Sequence, residues 1–478
     1  MINPVFLIVI PLILAFVSLV FKKAGKWLLL AGALINTGLL FFLEKGEVII
    51  GGFKPPFGIN LILDNYSMVG VVLAGVLFLA AIVISMDKAS KYSIVLLTAL
   101  AGLNGMLLTG DLFNLFVFME ITVISAYILS MAGKKPEHSF NYLVLGSIGS
   151  VFYLAGLIMF YSITGTLNMA DMAGQNLATG NSALFVPLFL MFAGLAVEAK
   201  LIPFGGWVKG VYGNSNRLTG ALFASVYAAV VLMVFGRVFN DVFVLEGAAL
   251  TIIVIIGLAT FAFGEAAAFR QKSMRRILLF SSIGQSGLAA VLFALGLVFP
   301  AVLIVINNSI GKFIMFTITG KLRETYGTDD YTKLKGSFYS NKLTGIAFSI
   351  AALSLIGLPL FFGFYAKINA LTALINGGNW FIPAAILILA IIEGAYFIRL
   401  LIALWAPGKE GEYADKAHIV GDSKIFNIKK TVLIFIMSLA ILAAGLLPDL
   451  AGDLISSSDG FMGGDGPAFT MSQLKGGE

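Results

Sequence analysis

Apolar runs long enough to span a bilayer, about 20 residues each, recur from one end of the chain to the other, separated by short stretches that carry the charges. The apolar positions are continuous within each run and do not alternate with polar ones, which predicts helices and not barrel strands. Fourteen spans are expected, near 4–21, 27–43, 66–86, 92–109, 112–131, 139–162, 183–208, 218–239, 248–269, 277–297, 300–320, 343–369, 380–405 and 430–450. The first follows Met-Ile-Asn-Pro with no basic segment before it, so a membrane helix is expected there and not a signal peptide.

Two of these runs are interrupted. In 183–208 the apolar stretch is followed at once by Glu198 and Lys200, and then by Pro203 and Gly205-Gly206. In 343–369, Gly357, Pro359 and Gly363 precede Lys367. Proline removes a helix hydrogen bond, and irregular backbone at membrane depth is tolerated only where protein or a hydrated cavity covers it, so both are expected to be broken helices lining an ion site. The breaks lie five spans apart. Five-helix units over 92–240 and 248–405 would have opposite orientation, the logic of an inverted repeat, with 1–91 as three leading helices. The segment 430–450 completes the set, and 451–478 reads as an unstructured acidic, Gly-rich tail.

Charge fixes the expected orientation. Loop lysines and arginines from Lys22 to Lys430 fall in the odd-numbered connections, whereas the even-numbered ones hold only Lys45 and Lys54. This asymmetry puts both termini outside a cell membrane. The mean hydropathy is +0.98 and 12% of residues are charged, about half the share of a soluble domain. Net charge +6 belongs to loops on one side, which makes nucleic acid a poor partner. There is no cysteine, and His138 and His418 are both expected in loops, so no metal, iron–sulfur or haem cofactor is expected in this chain.

Nine charges remain inside the spans: Glu120, Glu198, Glu265, Glu393, Lys200, Arg237, Lys312, Lys367 and Arg399. A lysine at a helix centre costs about 2.5–3.5 kcal/mol on insertion scales, so each such group needs a reason to be there. Glu120 shares a face with Phe116 and Tyr127 and reads as a relay carboxylate, the alternative being a structural ion pair. Lys312 shares a face with Asn308, Ser309 and Thr319, a polar stripe fit for water. Lys200 and Lys367 read as relay lysines. Glu198 is either a further relay group or a carboxylate paired elsewhere; Glu393 has no partner evident from sequence. Glu265 is expected near the inner surface, with Arg237 and Arg399 as interfacial anchors. Burial disfavours a charged lysine and a nearby carboxylate restores it, so separating Glu120 from Lys200 would release a proton. Moving a charge across the membrane works against about 2.3 kcal/mol per 100 mV, and no energy source is encoded here, so another protein of a complex or an ion gradient must drive it.

The stretch Thr109-Gly110-Asp111-Leu112-Phe113-Asn114-Leu115-Phe116-Val117-Phe118-Met119-Glu120, followed by Ile124-Ser125-Ala126-Tyr127, resembles the fifth helix of the D-type component of Mrp antiporters. Thr164-Gly165-Thr166-Leu167-Asn168-Met169-Ala170-Asp171-Met172-Ala173 resembles its next outside loop. Arg275-Arg276-Ile277-Leu278-Leu279-Phe280-Ser281-Ser282-Ile283-Gly284-Gln285-Ser286-Gly287 is similar to a signature of the antiporter-like subunits of respiratory complex I. The resemblance implies fourteen helices with inverted repeats of five. It also implies relay roles for Glu120, Lys200, Lys312 and Lys367. The chain departs from the family after the broken-helix lysine, where Pro203-Phe204-Gly205-Gly206-Trp207-Val208-Lys209 replaces a pattern with histidine and a second proline. Asn308 stands where the family has a membrane histidine, Glu198 and Glu393 are additional, and a long lateral helix is not expected. These departures fit the Mrp D-like component of archaeal membrane-bound hydrogenase or sulfane sulfur reductase complexes. Such a component moves H+ or Na+ beside other membrane subunits and a redox module that uses ferredoxin-type electron transfer. The alternatives are a D-type component of an Mrp Na+/H+ antiporter without redox chemistry and a non-conducting scaffold.

Overall fold

The computed structural model describes residues 2–133, 135–177, 179, 182–339, 341–407 and 426–447. The expected tail, 451–478, and His418 lie outside the described residues.

The architecture is mostly helical, with ten helices among the described residues long and apolar enough to cross a membrane. They are Asn65–Ile84, Met86–Leu108, Leu112–Ser130, Pro136–Thr164, Arg217–Val242, Gly247–Phe269, Met274–Ala294, Val298–Tyr326, Phe381–Trp405 and Ile428–Leu446. Phe6–Val20, Gly25–Leu39, Ser182–Glu198, Lys342–Ile356 and Phe362–Asn376 are shorter. Polar side chains mark where helices begin. Asp64 and Asn216 each accept from the backbone three residues on and close capping boxes with Ser67 and Thr219, while Ser273 opens Met274–Ala294. The expectation of an all-helical chain misses one feature. Gly46–Ile49 and Asn60–Leu63 form an antiparallel hairpin, because Gly51 and Gly52 adopt positive φ (72° and 80°) and let the connection between them double back.

Two helices, Arg217–Val242 and Met274–Ala294, are surrounded by protein along their whole apolar length. Others, such as Pro136–Thr164, present large apolar side chains outward, Val151 and Ile158 among them. Met274–Ala294 lies against Gly247–Phe269 at backbone contact distance: a Cβ added to Gly264 would meet the Gly284 nitrogen at 2.4 Å, and one on Gly287 the Gly257 carbonyl oxygen at 2.5 Å. Small residues allow this approach, which is how helices associate where lipid competes for apolar contacts. Arg217, itself buried, ties Asp87 (2.8 Å) to Glu324 (3.0 Å).

The chain is interrupted at both places the sequence marked. Ser182–Glu198 stops at Glu198, and a short 3₁₀ turn, Phe204–Trp207, leads into Val208–Asn214. Lys342–Ile356 stops at Gly357 (φ 82°) and helix resumes at Phe362.

Candidate functional site

At the first break Lys200 adopts φ 65°, a left-handed conformation unusual for a side-chain-bearing residue, and is 1% exposed. The groups freed by the break find partners. Leu201 N donates to Ala196 O (2.9 Å), Ile202 N to Thr260 Oγ1 (3.0 Å), and Trp207 Nε1 reaches back to Val197 O (2.9 Å). Gly205 is required here: a Cβ would sit 2.6 Å from the Lys200 carbonyl oxygen. Pro203 precedes the 3₁₀ turn.

The second break is closed by its own lysine. Lys367 Nζ donates to the carbonyls of Leu355 and Ile356 (both 2.9 Å), the free C-terminal end of the preceding half-helix, and to Glu393 Oε2 (2.7 Å). Pro359 lies in the connection between the half-helices, beside Leu360 (φ 76°). Ser354 Oγ donates to Asn307 Oδ1 (2.6 Å) and accepts from Gly363 N (3.2 Å), stitching the break to Val298–Tyr326.

The buried helix Met274–Ala294 links these groups. Ser282 Oγ accepts from Lys200 Nζ at 3.0 Å, and Ser281 Oγ from Lys312 Nζ at 2.5 Å. One turn on, Gln285 Nε2 donates to Glu393 Oε1 at 3.2 Å. Lys200 and Lys312 also lie over aromatic rings, Tyr212 (5.7 Å) and Phe397 (5.4 Å). Three side chains of one helix thus connect both breaks and the span between them. Nothing in Ser281-Ser282-x-x-Gln285 by itself names these partners, which lie 82, 31 and 108 residues away along the chain.

On the other side of Lys200, Tyr142 OH donates to Glu198 Oε2 (2.9 Å), and its ring stacks on Trp207 (3.9 Å) and meets Tyr127 edge-on (4.6 Å). Glu120 accepts from Ser150. The expected pairing of Glu120 with Lys200 is therefore absent: among the described residues these two form no ion pair. Glu198 precedes the break and turns toward Tyr142, whereas Lys200, past it, turns toward Ser282.

Other expectations are corrected. Glu265 is not at a surface but fully buried, accepting from Tyr396 OH at 2.8 Å. The Gly264–Gly284 approach draws it inward, its carboxylate oxygen 2.6 Å from where a Gly284 Cβ would be. Arg237 is buried, paired with Asp64 at 2.5 Å and set over the Tyr66 ring. Arg399 instead caps the end of Gly247–Phe269, donating to Phe269 O (2.7 Å). Ser309 donates its hydroxyl to Val305 O (2.7 Å) and stays able to accept, while the buried Asn308 Oδ1 and Thr319 Oγ1 of the stripe expected beside Lys312 have no partner. His138 lies in the first turn of Pro136–Thr164 and not in a loop.

A cavity of about 990 Å³ opens on the face that carries Lys135, His138, Lys209, Arg276 and Arg323, and reaches Trp207. Among the described residues no group of three or more histidines or carboxylates could hold a metal ion.

The chain is 30% identical over 435 residues to the N component of the NADH-quinone oxidoreductase of Desulforudis audaxviator, covering 85% of this chain and 87% of that one. It is 31% identical over 382 residues to the D component of the Na+/H+ antiporter of Alkalihalophilus pseudofirmus, covering 76% and 77%. Among solved structures, a chain of the membrane-bound sulfane sulfur reductase, an archaeal respiratory membrane complex, superposes with a TM-score of 0.85 at 30% identity, over 95% of this chain and 96% of that one. Residues 109–393, which carry both breaks and every interior lysine, match the family described as NADH:quinone oxidoreductase/Mrp antiporter, transmembrane. This chain therefore belongs to the NADH:quinone oxidoreductase/Mrp antiporter family of membrane proteins.

Proposed function

We propose that this chain is the ion-translocating, antiporter-like subunit of a redox-driven respiratory membrane complex, passing protons along Glu120, Glu198, Lys200, Lys312, Glu393 and Lys367. The observation that carries the reading is the buried helix whose Ser282, Ser281 and Gln285 bond Lys200, Lys312 and Glu393 in turn. Hydroxyls between lysines can each donate and accept, which a proton relay needs and a purely structural ion pair does not. Tyr127, Asn308 and Ser309 support the line, and Pro203 and Pro359 hold the breaks open. The basic vestibule ending at Trp207 is the intake on one side. Fourteen spans, two inverted five-helix units over 92–240 and 248–405, and both termini outside complete this reading. Electron transfer occurs in other proteins of the complex, and this chain needs no cofactor of its own.

Redox drive is favoured by the likeness to the sulfane sulfur reductase chain, which spans nearly the whole molecule. The relationship to a component of an Na+/H+ antiporter supports a second reading, antiport without redox chemistry. Copurification with identification of the associated proteins separates the two. In proteoliposomes of the assembled complex, Lys200→Ala and Lys312→Ala are expected to lower ion transport at least about tenfold, the rate equivalent of about 1.4 kcal/mol. Unchanged transport would make the chain a scaffold.

A further inference from the structure

The cavity of about 990 Å³ on the basic face has two kinds of wall. Lys135, Lys209, Arg276 and Arg323 bring four charges to it from four separate segments of the chain. Among the described residues none of the four pairs with a carboxylate. The acid on the wall, Asp329, accepts from Ser273 Oγ at 2.8 Å. Pro136–Thr164 begins at this cavity with no side-chain cap and adds the positive end of a 29-residue helix; Glu137 of its first turn does not line the space. So much unpaired positive charge around one cavity calls for an anion.

The second wall narrows the choice. Phe140 and Val144 line the same cavity and are exposed on Pro136–Thr164, and Ile148 and Val151 continue the exposed row. Intervals of four, four and three residues put all of them on one face of the helix. The cations therefore lead straight onto an apolar strip that faces away from the protein. A soluble anion would use the charges and leave the strip uncovered. The space also exceeds what a bare phosphate fills, since pockets of about 300–1,000 Å³ take whole organic ligands. Basic pockets between membrane helices bind phospholipid headgroups, and each lysine or arginine near an anionic surface contributes about fivefold.

We infer that this cavity seats the headgroup of an anionic phospholipid, its phosphodiester among Lys135, Lys209, Arg276 and Arg323 and an acyl chain along Phe140, Val144, Ile148 and Val151. The inference rests on the transport reading above and adds to it the regulation of the intake. Four unpaired cations at a mouth lower the local concentration of an incoming proton. A bound phosphodiester offsets part of that charge, which makes transport dependent on anionic lipid.

The test is native mass spectrometry of the delipidated complex containing the full chain, titrated with phosphatidylglycerol or with zwitterionic phosphatidylcholine. The triple variant Lys135→Gln/Lys209→Gln/Arg276→Gln replaces exposed side chains. It is expected to lose one tightly held phosphatidylglycerol per chain, its affinity falling about a hundredfold in three steps of about fivefold. Phe140→Ser/Val144→Ser should also shift the titration to higher lipid concentration. Equal retention by the triple variant, equal retention of phosphatidylcholine, displacement by inorganic phosphate, or an unshifted titration in the apolar variant overturns the lipid site. Loss of an associated protein from the triple variant overturns it too and makes this face a docking surface for an acidic protein. Proton uptake in proteoliposomes keeps the two ideas apart. Adding phosphatidylglycerol to phosphatidylcholine should raise wild-type uptake and leave the triple variant unchanged; equal wild-type uptake in both mixtures removes the regulatory role. Failed lipid binding beside lowered uptake in Lys200→Ala sinks this site alone, whereas intact uptake in Lys200→Ala sinks the transport reading.

Discussion

Lys367 and Glu393 form the one ion pair among the described residues whose carboxylate is wholly buried, with Nζ 2.7 Å from Oε2. The lysine's other two hydrogens cap Leu355 and Ile356. One ammonium therefore joins two broken half-helices to a third span. Removing one member of such a pair strands the other charge, at a cost of about 3–5 kcal/mol. Glu393→Gln is expected to lower the thermal midpoint of the complex, and Lys367→Met more, because it also frees two carbonyls. The double replacement Lys367→Met/Glu393→Leu should cost less than the sum. Detergent thermal-shift measurements on all three variants check this.

Ser282→Ala removes the hydroxyl that accepts from Lys200. Transport is expected to fall about tenfold, in line with the roughly 1–3 kcal/mol of an unsatisfied buried donor. Ser282→Thr should retain most activity. Proton uptake in proteoliposomes distinguishes the two, and equal rates in Ser282→Ala and wild type would contradict a hydroxyl link at Lys200.

Neighbouring glycines at the first break should respond oppositely. A Cβ at Gly205 meets backbone at 2.6 Å, but one at Gly206 meets nothing within 4 Å. Gly205→Ala is expected to destabilise by about 1–3 kcal/mol. Gly206→Ala should stay within about 0.5 kcal/mol of wild type. Yield of assembled complex and its melting temperature report the difference.

Tyr396→Phe leaves Glu265 Oε2 without its donor in a fully buried site where Oε1 already lacks one. A loss of about 1–3 kcal/mol is expected. Combined with Glu265→Gln it should show a coupling of about 0.5–3 kcal/mol, as residues in direct contact do. Strict additivity of the two losses would mean the bond contributes nothing.

What the sequence makes legible is what has a local cost of burial. An ionisable residue inside an apolar run is visible without neighbours, which brought out Lys200, Lys312, Lys367, Glu120 and Glu393. Partners were not legible, because a hydrogen bond such as Ser282 to Lys200 joins positions 82 residues apart. Serine inside an apolar helix reads as unremarkable until a lysine faces it. Glu265 was misjudged for a related reason: its distance along the chain from Arg270 suggested a surface, while the glycines that draw it inward act across two helices.

The chain by itself determined that it is a helical membrane protein, where its two helices break, and which charges lie within its apolar runs, since each follows from transfer of one segment out of water and from proline and glycine within that segment. The tertiary structure decided which groups meet. Packing around Met274–Ala294 set Ser281 against Lys312, Ser282 against Lys200 and Gln285 against Glu393. It also turned Glu198 from Lys200 toward Tyr142. Those outcomes depend on helix register and on how closely backbones approach, which are properties of pairs of segments and not of either one alone.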